Sequence, residues 1–416
     1  MRYFFSLILL LFGSAVKSQF ATNDFLEALI GKNASPLLKY ILSNPDTFHY
    51  QLIYTKIDRD KNNQPHFTNY FYHVNKNEYF NPASTVKMPL AFLALEKMNT
   101  LHRYGINKDT PMITDSSYTG QTTVITDSSA ATGLPSLAQY IKKIFLVSDN
   151  DAYNRLYEFL GQENINRRLW SKGYPDTRIT RRFVAMDEDQ NRHTNAIKFM
   201  SGNKVLHEQP AAYSNISFDF SKKISIGNAH YNRNEELIHQ PMDFTTHNNL
   251  PLSDLQQMLQ SVIFPAETSH KKRFNLTNED YEFLYRYMSQ YPSESSFPKY
   301  DTTEYFDSYT KFFMFKAGKK KVPSYIRVFN KPGWSYGFLT DAAYIVDFKN
   351  KVEFMLTGTI YVNSDGILND DIYEYEQTGY PFFKEVGDVI YQYELSRSRK
   401  HIPRLEKFQF NYSPQR

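Results

Sequence analysis

The sequence predicts a mixed fold of the α/β (α+β) type, because strand patterns lie at both ends of the chain and helix patterns fill the middle. Alternating or continuously apolar stretches typical of strands occupy 51–74 and 326–362. Apolar residues at helical spacing dominate the region between them. We therefore predict one sheet built from the N- and C-terminal parts, with an all-helical subdomain inserted between them and a cleft at the boundary.

The N-terminal part begins with a helix and a hairpin. Apolar residues at helical spacing predict a helix over Asn23–Leu42, which Pro45 would end. Gln51–Arg59 and Phe67–Val74 alternate like strands around a polar turn, so they predict a β-hairpin. A turn at 81–84 then opens a buried helix rich in Leu, Ala and Met.

The middle and the C-terminal part contain the other strongly periodic segments. Helices are predicted at Leu137–Val147, Ala152–Leu160, Leu252–Ile263, Asn278–Met288 and, closing the domain, Tyr380–Tyr393. Strands are predicted at Ile326–Asn330, Tyr336–Asp347 and Val352–Val362. Residues 202–240 have no strong period, and we interpret them as a long insertion or lid.

The composition limits the chemistry and the partners of the protein. The chain has 416 residues and a formal net charge of +4, which is too mild to predict a nucleic-acid-binding surface. It contains no cysteine, which excludes disulfides, thiol catalysis and cysteine-ligated zinc.

Residues 1–18 predict a signal peptide. Arg2 precedes an apolar run at Tyr3–Phe12, and Val16 and Ser18 stand where an export peptidase reads small side chains, so we predict cleavage before Gln19. The run is too short for a permanent membrane anchor, and no second apolar stretch approaches the required length. An exported protein of this size without disulfides suits a bacterial periplasm or secretion, and we expect it to be a monomer.

Ser84 and Lys87 form an S-x-x-K element at the start of the predicted buried helix. The sequence contains six such elements, and only this one follows a turn and opens an apolar helix. A serine at a helix start lies beside free backbone N–H groups, and residues three apart share one helix face. The alternative is that Ser84 is a helix cap and Lys87 a surface lysine.

Two further elements lie at boundaries where a cleft wall is expected. Ser148, Asp149 and Asn150 fall between two predicted helices, although helix capping would explain them as well. Lys331-Pro332-Gly333 has strand residues on both sides, and Gly333 would allow a substrate backbone to lie against the strand.

The order S-x-x-K, S-D-N and K-x-G resembles the motif set of class A β-lactamases and penicillin-binding proteins. The resemblance covers roughly residues 48–393. It includes 177–181 (TRITR), which is similar to the start of the family's Ω loop, and Thr245-Thr246, which is similar to the stretch after it. The chain is identified as a divergent member of this serine hydrolase family.

The resemblance implies an antiparallel sheet and the following domain limits. The hydrolase domain would span 19–395, followed by a basic, polar tail at 396–416. The sheet subdomain would comprise about 45–80 and 310–395. The helical subdomain would comprise about 84–305, with a long Ω-region insertion at about 184–244.

The resemblance also assigns catalytic roles. Ser84 would attack a substrate carbonyl and become acylated, and Lys87 would take its proton. Ser148 would relay a proton to the leaving nitrogen, whereas Asp149 would only orient its loop. No metal or cofactor is required.

The remaining residues of the motifs would bind the substrate. Asn150 would hydrogen-bond a substrate amide, and Lys331 would polarise Ser148. Beside Gly333, the backbone N–H of Trp334 would complete an oxyanion hole with that of Ser84.

Two positions depart from the family pattern. The glutamate that activates the deacylating water corresponds to Phe183, and the middle residue of the K-T-G motif is Pro332. The nearby acids Glu188, Glu235 and Glu236 do not hold the expected position. Because loss of a positioned base costs a factor of about 10² to 10⁴, we expect poor deacylation.

Several functions remain open at this point. One is an exported acyl-serine hydrolase that acts on a β-lactam or a related amide or ester. Others are a DD-peptidase or penicillin-binding activity on a peptidoglycan-derived substrate, and an esterase. Retention of Ser84 and Lys87 favours an enzyme, whereas Phe183 and Pro332 favour a non-catalytic module that binds a cell-wall ligand.

Overall fold

The computed structural model of the protein describes residues 21–319 and 321–412, so the predicted signal peptide lies outside the described residues. The helices are α1 Asp24–Asn33, α2 Pro36–Leu42, α3 Pro45–Phe48, α4 Lys87–Leu101, α5 Leu137–Val147, α6 Asn150–Leu160, α7 Gln162–Ser171, α8 Glu188–Arg192, α9 Leu252–Ile263, α10 Asn278–Ser289 and α11 Tyr380–Ser396. The strands are β1 Gln51–Arg59, β2 Pro65–Tyr72, β3 Met112–Thr114, β4 His193–Thr194, β5 Ile197–Ser201, β6 Lys204–Gln209, β7 Ala212–Tyr213, β8 Ser225–Ile226, β9 Ala229–Tyr231, β10 Leu237–Ile238, β11 Met242–Asp243, β12 Ile326–Ser335, β13 Phe338–Asp347, β14 Val352–Tyr361 and β15 Ile367–Leu368. No helix in this part of the chain has both the length and the apolar character needed to cross a membrane.

The main sheet is antiparallel, with the strand order β12-β13-β14-β1-β2. Strand β1 pairs with β2 of the N-terminal hairpin and with β14 of the C-terminal part, so that Tyr54 lies opposite both Tyr70 and Leu356. The turn between β12 and β13 consists of Tyr336 and Gly337, whose φ angles are 54° and 80°. Positive φ at both positions is typical of the type I′ hairpin turn. The prediction of one sheet built from both ends of the chain is confirmed.

Helices cover both faces of this sheet. On one face, α1 and α11 pack against apolar side chains of β12, β13 and β14. On the other face lie α9, α10 and the buried helix α4. Every residue from Lys87 to Glu96 is buried, which is typical of a helix surrounded by other elements on all sides. Ser84, which lies in the turn just before α4, is therefore anchored to the hydrophobic core.

Most of the longer elements begin and end within a few residues of their predicted limits. Helices α5 and α9 and strand β1 have the predicted bounds, and α6, α10 and α11 differ by three residues or fewer at either end. These segments have strong apolar periodicity and are packed against the core on one side, so their local patterns report their tertiary environment.

The single helix predicted over 23–42 is wrong, because this segment forms α1 and α2. The Ser35 hydroxyl accepts a hydrogen bond from the backbone N–H of Leu38 at 3.2 Å and caps α2. Pro36 has no N–H with which to continue α1, but it is well suited to the first position of a new helix. In the same way, Pro45 begins α3 and does not end a helix.

The inserted subdomain is not all-helical as predicted. Strands β3, β5 and β6 form a three-stranded antiparallel sheet within it, and β4 pairs with β7. The segment 202–240, which has no period in the sequence, consists of short strands and turns. Its strand β9 runs parallel to β15, which lies beyond the main sheet at 367–368. The insertion therefore joins the helical subdomain to the sheet subdomain.

The segment after α11 packs back onto the core. The Phe408 side chain is buried with its ring 5.0 Å from that of Tyr344. The buried guanidinium of Arg397 binds Glu394 and Asp58, each at 2.6 Å. The Glu394 side chain has no exposure to solvent. This ion pair attaches the chain after α11 to strand β1.

We predict that Arg397→Ala lowers the free energy of unfolding by about 3 kcal/mol, because removing one partner leaves a buried carboxylate less compensated. Urea denaturation measures this change. The matched control is Lys384→Ala, which removes a partly exposed helical pair with Asp388 and should cost about 0.5 kcal/mol or less. Equal effects of the two substitutions would contradict the prediction.

Candidate active site

Ser84 lies at the tight turn that leads into α4. The residue before it, Ala83, has a φ of 43°, in the left-handed region that costs a non-glycine residue of order 1 kcal/mol. The turn is held by Asn81, whose Oδ1 accepts from the Ala83 N–H at 2.9 Å, and by Thr85, whose hydroxyl donates to the Pro82 carbonyl at 2.6 Å. Ser84 is half-buried whereas both of its neighbours are buried, so the turn presents this serine to the cleft.

Lys87 is fully buried one helical turn after Ser84. Its Nζ donates to Asn150 Oδ1 at 2.6 Å, to the Ser148 carbonyl, and to Ser148 Oγ at 3.3 Å. The S-x-x-K and S-D-N elements are therefore in direct contact. Across the described part of the chain, the Ser84 hydroxyl makes no hydrogen bond, so a bond from Lys87 to this hydroxyl is not formed in this state.

Ser148 is fixed at the junction of two helices. Its φ of 64° is left-handed, and its N–H donates to the Ile144 carbonyl at 3.1 Å to end α5. The next residue, Asp149, accepts from the Ala152 N–H at 2.8 Å and caps α6. Asp149 therefore orients the loop, in agreement with the role inferred for it from the sequence.

Lys331 reaches the same hydroxyl from the sheet. Its Nζ donates to Ser148 Oγ at 2.9 Å and to the Pro332 carbonyl at 2.7 Å. All three sequence elements thus meet at Ser148, which accepts from a lysine of α4 and from a lysine of β12. An oxygen that accepts twice keeps its own proton available for donation to a substrate.

The two lysines have unusual acidity. Burial lowers the pKa of Lys87 to about 7. Burial also lowers the pKa of Lys331 well below its ordinary value, and repulsion by Lys87 adds to this effect. Within residues 21–319 and 321–412, no carboxylate lies within ion-pair distance of either ammonium group. A lysine that loses its proton near neutral pH can act as a general base.

Strand β12 touches the turn before α4 at Gly333. A methyl group at this position would stand 2.7 Å from the Ser84 nitrogen and 2.8 Å from the Pro82 carbonyl oxygen. Only glycine permits such a close approach, so the edge of the sheet lies directly against the backbone N–H of Ser84.

The backbone of Trp334 lies at the open edge of the sheet. Strand β12 is an edge strand, and Pro332 has no N–H, so it suits a position whose amide points away from β13. Because hydrogen bonding alternates along an antiparallel pair, the amide of Trp334 two residues later also points outward. The Trp334 ring lies on the face of β12 opposite to the Lys331 side chain, and its centre is 5.7 Å from that of the Phe312 ring. Two backbone donors, from Ser84 and Trp334, thus border the cleft.

Residues 55–207 match the family model described as "Beta-lactamase enzyme family". This segment includes the S-x-x-K and S-D-N elements that meet in the structure. Over these residues the chain is similar to the β-lactamase family. The resemblance drawn from the sequence motifs and the β-lactamase-like fold class are thereby confirmed.

Solved structures of β-lactamases are similar to the chain at low identity. The enzyme from Sphaerobacter thermophilus is 12% identical, with 89% of this chain and 96% of that chain covered and a TM-score of 0.44. The enzyme from Xanthomonas campestris is 14% identical, with 88% and 98% covered and a TM-score of 0.47. A class A β-lactamase of the last common ancestor of Gram-negative bacteria is 15% identical, with 88% and 99% covered and a TM-score of 0.47. No curated protein matches the chain.

The β-lactamase-like site of this chain has an aromatic ring beside its central lysine. The centre of the Phe183 ring lies 4.9 Å from Lys87 Nζ, and the ring packs against Tyr153 at 4.6 Å. The backbone N–H of Phe183 donates to Asn154 Oδ1 at 2.8 Å, which fixes the segment in place. The position at which the sequence comparison expects a deacylating glutamate therefore does lie next to Lys87, and it carries no acid.

The acids considered as replacements do not contact the site. Glu188 is on the short surface helix α8, and Glu235 and Glu236 are exposed in a turn of the insertion, where Glu236 binds Asn232 at 2.8 Å. Within the described residues, the site contains lysines, serines and amides but no carboxylate in contact with Lys87.

Sequence reasoning missed the partner of Arg181. Its Nη1 lies 2.7 Å from Nε2 of His247, just after the insertion. Burial, together with the charge of Arg181, lowers the pKa of His247 to about 3, so this ring is neutral and accepts the hydrogen bond. No local signal links two residues that far apart in the sequence.

We predict that Gly333→Ala slows acylation of Ser84 by roughly 10²-fold or more, because the added methyl group would push β12 away from the Ser84 amide and impair the oxyanion hole. Intact-mass kinetics with a penicillin measure the rate. Gly31→Ala is the matched control, since nothing lies within 4 Å of a methyl group there. A wild-type rate in Gly333→Ala would show that the close contact has no role in acylation.

Proposed function

We propose that this protein is an exported acyl-serine hydrolase, whose Ser84 is acylated by a β-lactam or a related amide or ester and releases the acyl group slowly. The observation that carries this proposal is the convergence of Lys87 and Lys331 on the Ser148 hydroxyl, next to the turn that presents Ser84. A module that only binds a ligand has no need to bury two uncompensated lysines at this point, because their desolvation is unfavourable.

The acylation step follows from the positions of these groups. Lys87, when neutral, accepts the proton of Ser84 as Ser84 Oγ attacks the substrate carbonyl carbon. The carbonyl oxygen becomes negative and is stabilised by the N–H groups of Ser84 and Trp334. When the carbon–nitrogen or carbon–oxygen bond breaks, Ser148 donates its proton to the leaving atom, and a proton from a neighbouring lysine replaces it.

Asn150 has a free group for the substrate. Its Oδ1 accepts from Lys87, so the amide side chain is oriented and its Nδ2 remains available. Within the described residues no acceptor is bonded to this nitrogen. An amide carbonyl on the acyl part of a substrate would supply an acceptor for Asn150 Nδ2.

The deacylation step lacks a comparable device. A water molecule needs a positioned base to attack an ester quickly, and the ring of Phe183 occupies the place beside Lys87. Pro332 also removes the hydroxyl that the K-T-G motif would supply for a substrate carboxylate. The first difference favours a long-lived acyl-enzyme, as in a penicillin-binding protein, over rapid turnover, whereas the second concerns substrate binding.

The proposal is tested by incubating the protein with a penicillin and following its intact mass, with Ser84→Ala as the control. We expect an adduct of one penicillin mass that persists in the wild type and is absent in the variant. Rapid loss of the adduct with consumption of the drug would show an efficient β-lactamase. If neither β-lactams nor simple aryl esters form an adduct, the acyl-serine proposal fails and the cleft belongs to a binding module.

We predict that the acylation rate rises roughly tenfold between about pH 6 and pH 8. Only neutral Lys87 can accept the proton, and with a pKa of about 7 its neutral fraction grows from about one tenth to about nine tenths over this range. Burst-phase acylation with a chromogenic β-lactam measures the profile. A rate that is constant over this range would exclude Lys87 as the base.

We predict that Phe183→Glu shortens the lifetime of the acyl-enzyme by about 10²-fold, because it places a carboxylate beside Lys87 where a deacylating water would be activated. Phe183→Gln is the matched control, because glutamine has the size of glutamate but no charge. The decay of the adduct is followed by mass after removal of free penicillin. Equal lifetimes for the two variants would mean that this position cannot hold a working base.

A further inference from the structure

A cavity of about 640 Å³ adjoins the proposed acylation site. Asn150 and Phe183 line the side nearest Lys87, and Ser335 of β12 lines the floor of the cleft beside it. Ser148 and Lys331 do not line this cavity. Since the leaving atom of a substrate must lie near the Ser148 hydroxyl, the cavity receives the other half of the substrate, which is the acyl part.

The insertion builds the outer wall of this cavity. Residues 230–233 comprise the end of strand β9 and the turn after it, and β9 pairs with β15. Asn369 Nδ2 donates to the Tyr231 carbonyl at 3.0 Å, and Asn228 N–H donates to the Gly366 carbonyl at 2.7 Å. The wall is therefore attached to the sheet subdomain as well as to the helical subdomain. Because the wall is fixed at both ends, the volume of the cavity limits the size of the acyl group.

The lining of this cavity is cationic. Arg181, Arg182 and Arg233 all line it, and none of its described lining residues is an Asp or Glu. The buried Arg182 is neutralised by Glu158 at 2.7 Å. Arg233 is exposed on the insertion wall, and no ion pair to it is present among the described residues.

Arg181 also lacks a compensating charge. It is half-buried, and its one side-chain hydrogen bond goes to the neutral ring of His247. Glu188 faces it from a separate small cavity, yet across the described chain no carboxylate lies within ion-pair distance of its guanidinium. The remaining guanidinium N–H groups are free to bind a carboxylate with two parallel hydrogen bonds.

We infer that the acyl part of the substrate carries a carboxylate or a similar anionic group, which Arg181 and Arg233 bind inside the cavity. This inference rests on the proposed function of Ser84, because that function decides which half of the substrate the cavity receives. The insertion is then the element that determines substrate specificity, since it supplies Arg233 and positions His247 against Arg181.

The test compares two penicillins that differ by one carboxylate on the acyl side chain, benzylpenicillin and α-carboxybenzylpenicillin. Their dissociation constants are measured by calorimetry on full-length Ser84→Ala protein, so that no acylation interferes. We expect the dicarboxylate to bind about tenfold more tightly, as one added charge-assisted contact allows. Adding Arg233→Gln or Arg181→Gln to this protein should each reduce the preference several-fold.

A matched control is Arg103→Gln, which removes an exposed arginine whose hydrogen bond is to Tyr104, away from the cavity. It should keep the full preference. Since Arg233 is exposed and has no ion-pair or hydrogen-bond partner among the described residues, its substitution tests the inference even if Arg181→Gln fails to fold. Equal dissociation constants for the two penicillins, no measurable binding of either, or a preference that survives both substitutions would overturn the inference.

The outcomes also separate this inference from the proposed function. If Ser84 forms adducts while the charge preference is absent, only the inference fails. If the preference is present in Ser84→Ala and the wild type forms no adduct, the acyl-serine function fails, and the cavity remains an anion-binding site without its assignment to an acyl group.

Discussion

The hydroxyl of Ser148 is the contact on which the rest of the site depends. It accepts hydrogen bonds from Lys87 of α4 and from Lys331 of β12, so it joins the buried helix, the junction of α5 and α6, and the edge of the sheet. Two buried ammonium groups that share one oxygen repel each other, and in the described structure no carboxylate forms an ion pair with either of them. Their positions must therefore be imposed by the elements that carry them. Burial lowers the pKa of both lysines, and repulsion by Lys87 lowers that of Lys331 further.

Hydrogen bonds on the face of β12 opposite to the cleft hold this edge strand in position. Asn330 Nδ2 donates to the Thr310 carbonyl at 2.7 Å and to Asp341 at 2.9 Å, and Lys311 donates to Asn330 Oδ1 at 2.8 Å. These side chains are fully or almost fully buried on the face of β12 opposite to the cleft. Because side chains alternate along a strand, fixing Asn330 on one face fixes Lys331 on the other.

The groups proposed for acylation and the position expected to promote deacylation are physically separate. Acylation requires a base near Ser84, a proton donor and two backbone N–H groups, and the described structure brings candidates for all of these together. Deacylation requires a further base beside Lys87, and that place holds the ring of Phe183. The hydrophobic contact of Phe183 with Tyr153 stabilises the start of the Ω region, so this position contributes to packing in place of catalysis.

Local sequence patterns were sufficient for the long elements and for the motif residues. The motifs fall where an apolar period begins or ends, and such boundaries are visible in sequence because capping and turn residues mark them. The split of the first helix was visible in principle as well, since Ser35-Pro36 is a start signal within the helical period. The short strands of the insertion were not visible in the sequence, because strands of two to six residues have no measurable period.

The sequence by itself predicted, through the resemblance of its three motifs to a known family, that Ser84, Lys87, Ser148 and Lys331 would border one cleft. Its apolar patterns placed these motifs at a helix start, a helix junction and a strand. Tertiary structure alone decided how they interact. Lys87 bonds to the S-D-N loop and not to Ser84, and Arg181 meets His247 across a 66-residue separation. Such contacts depend on which surfaces the folded chain buries against each other, and no short-range pattern records that choice.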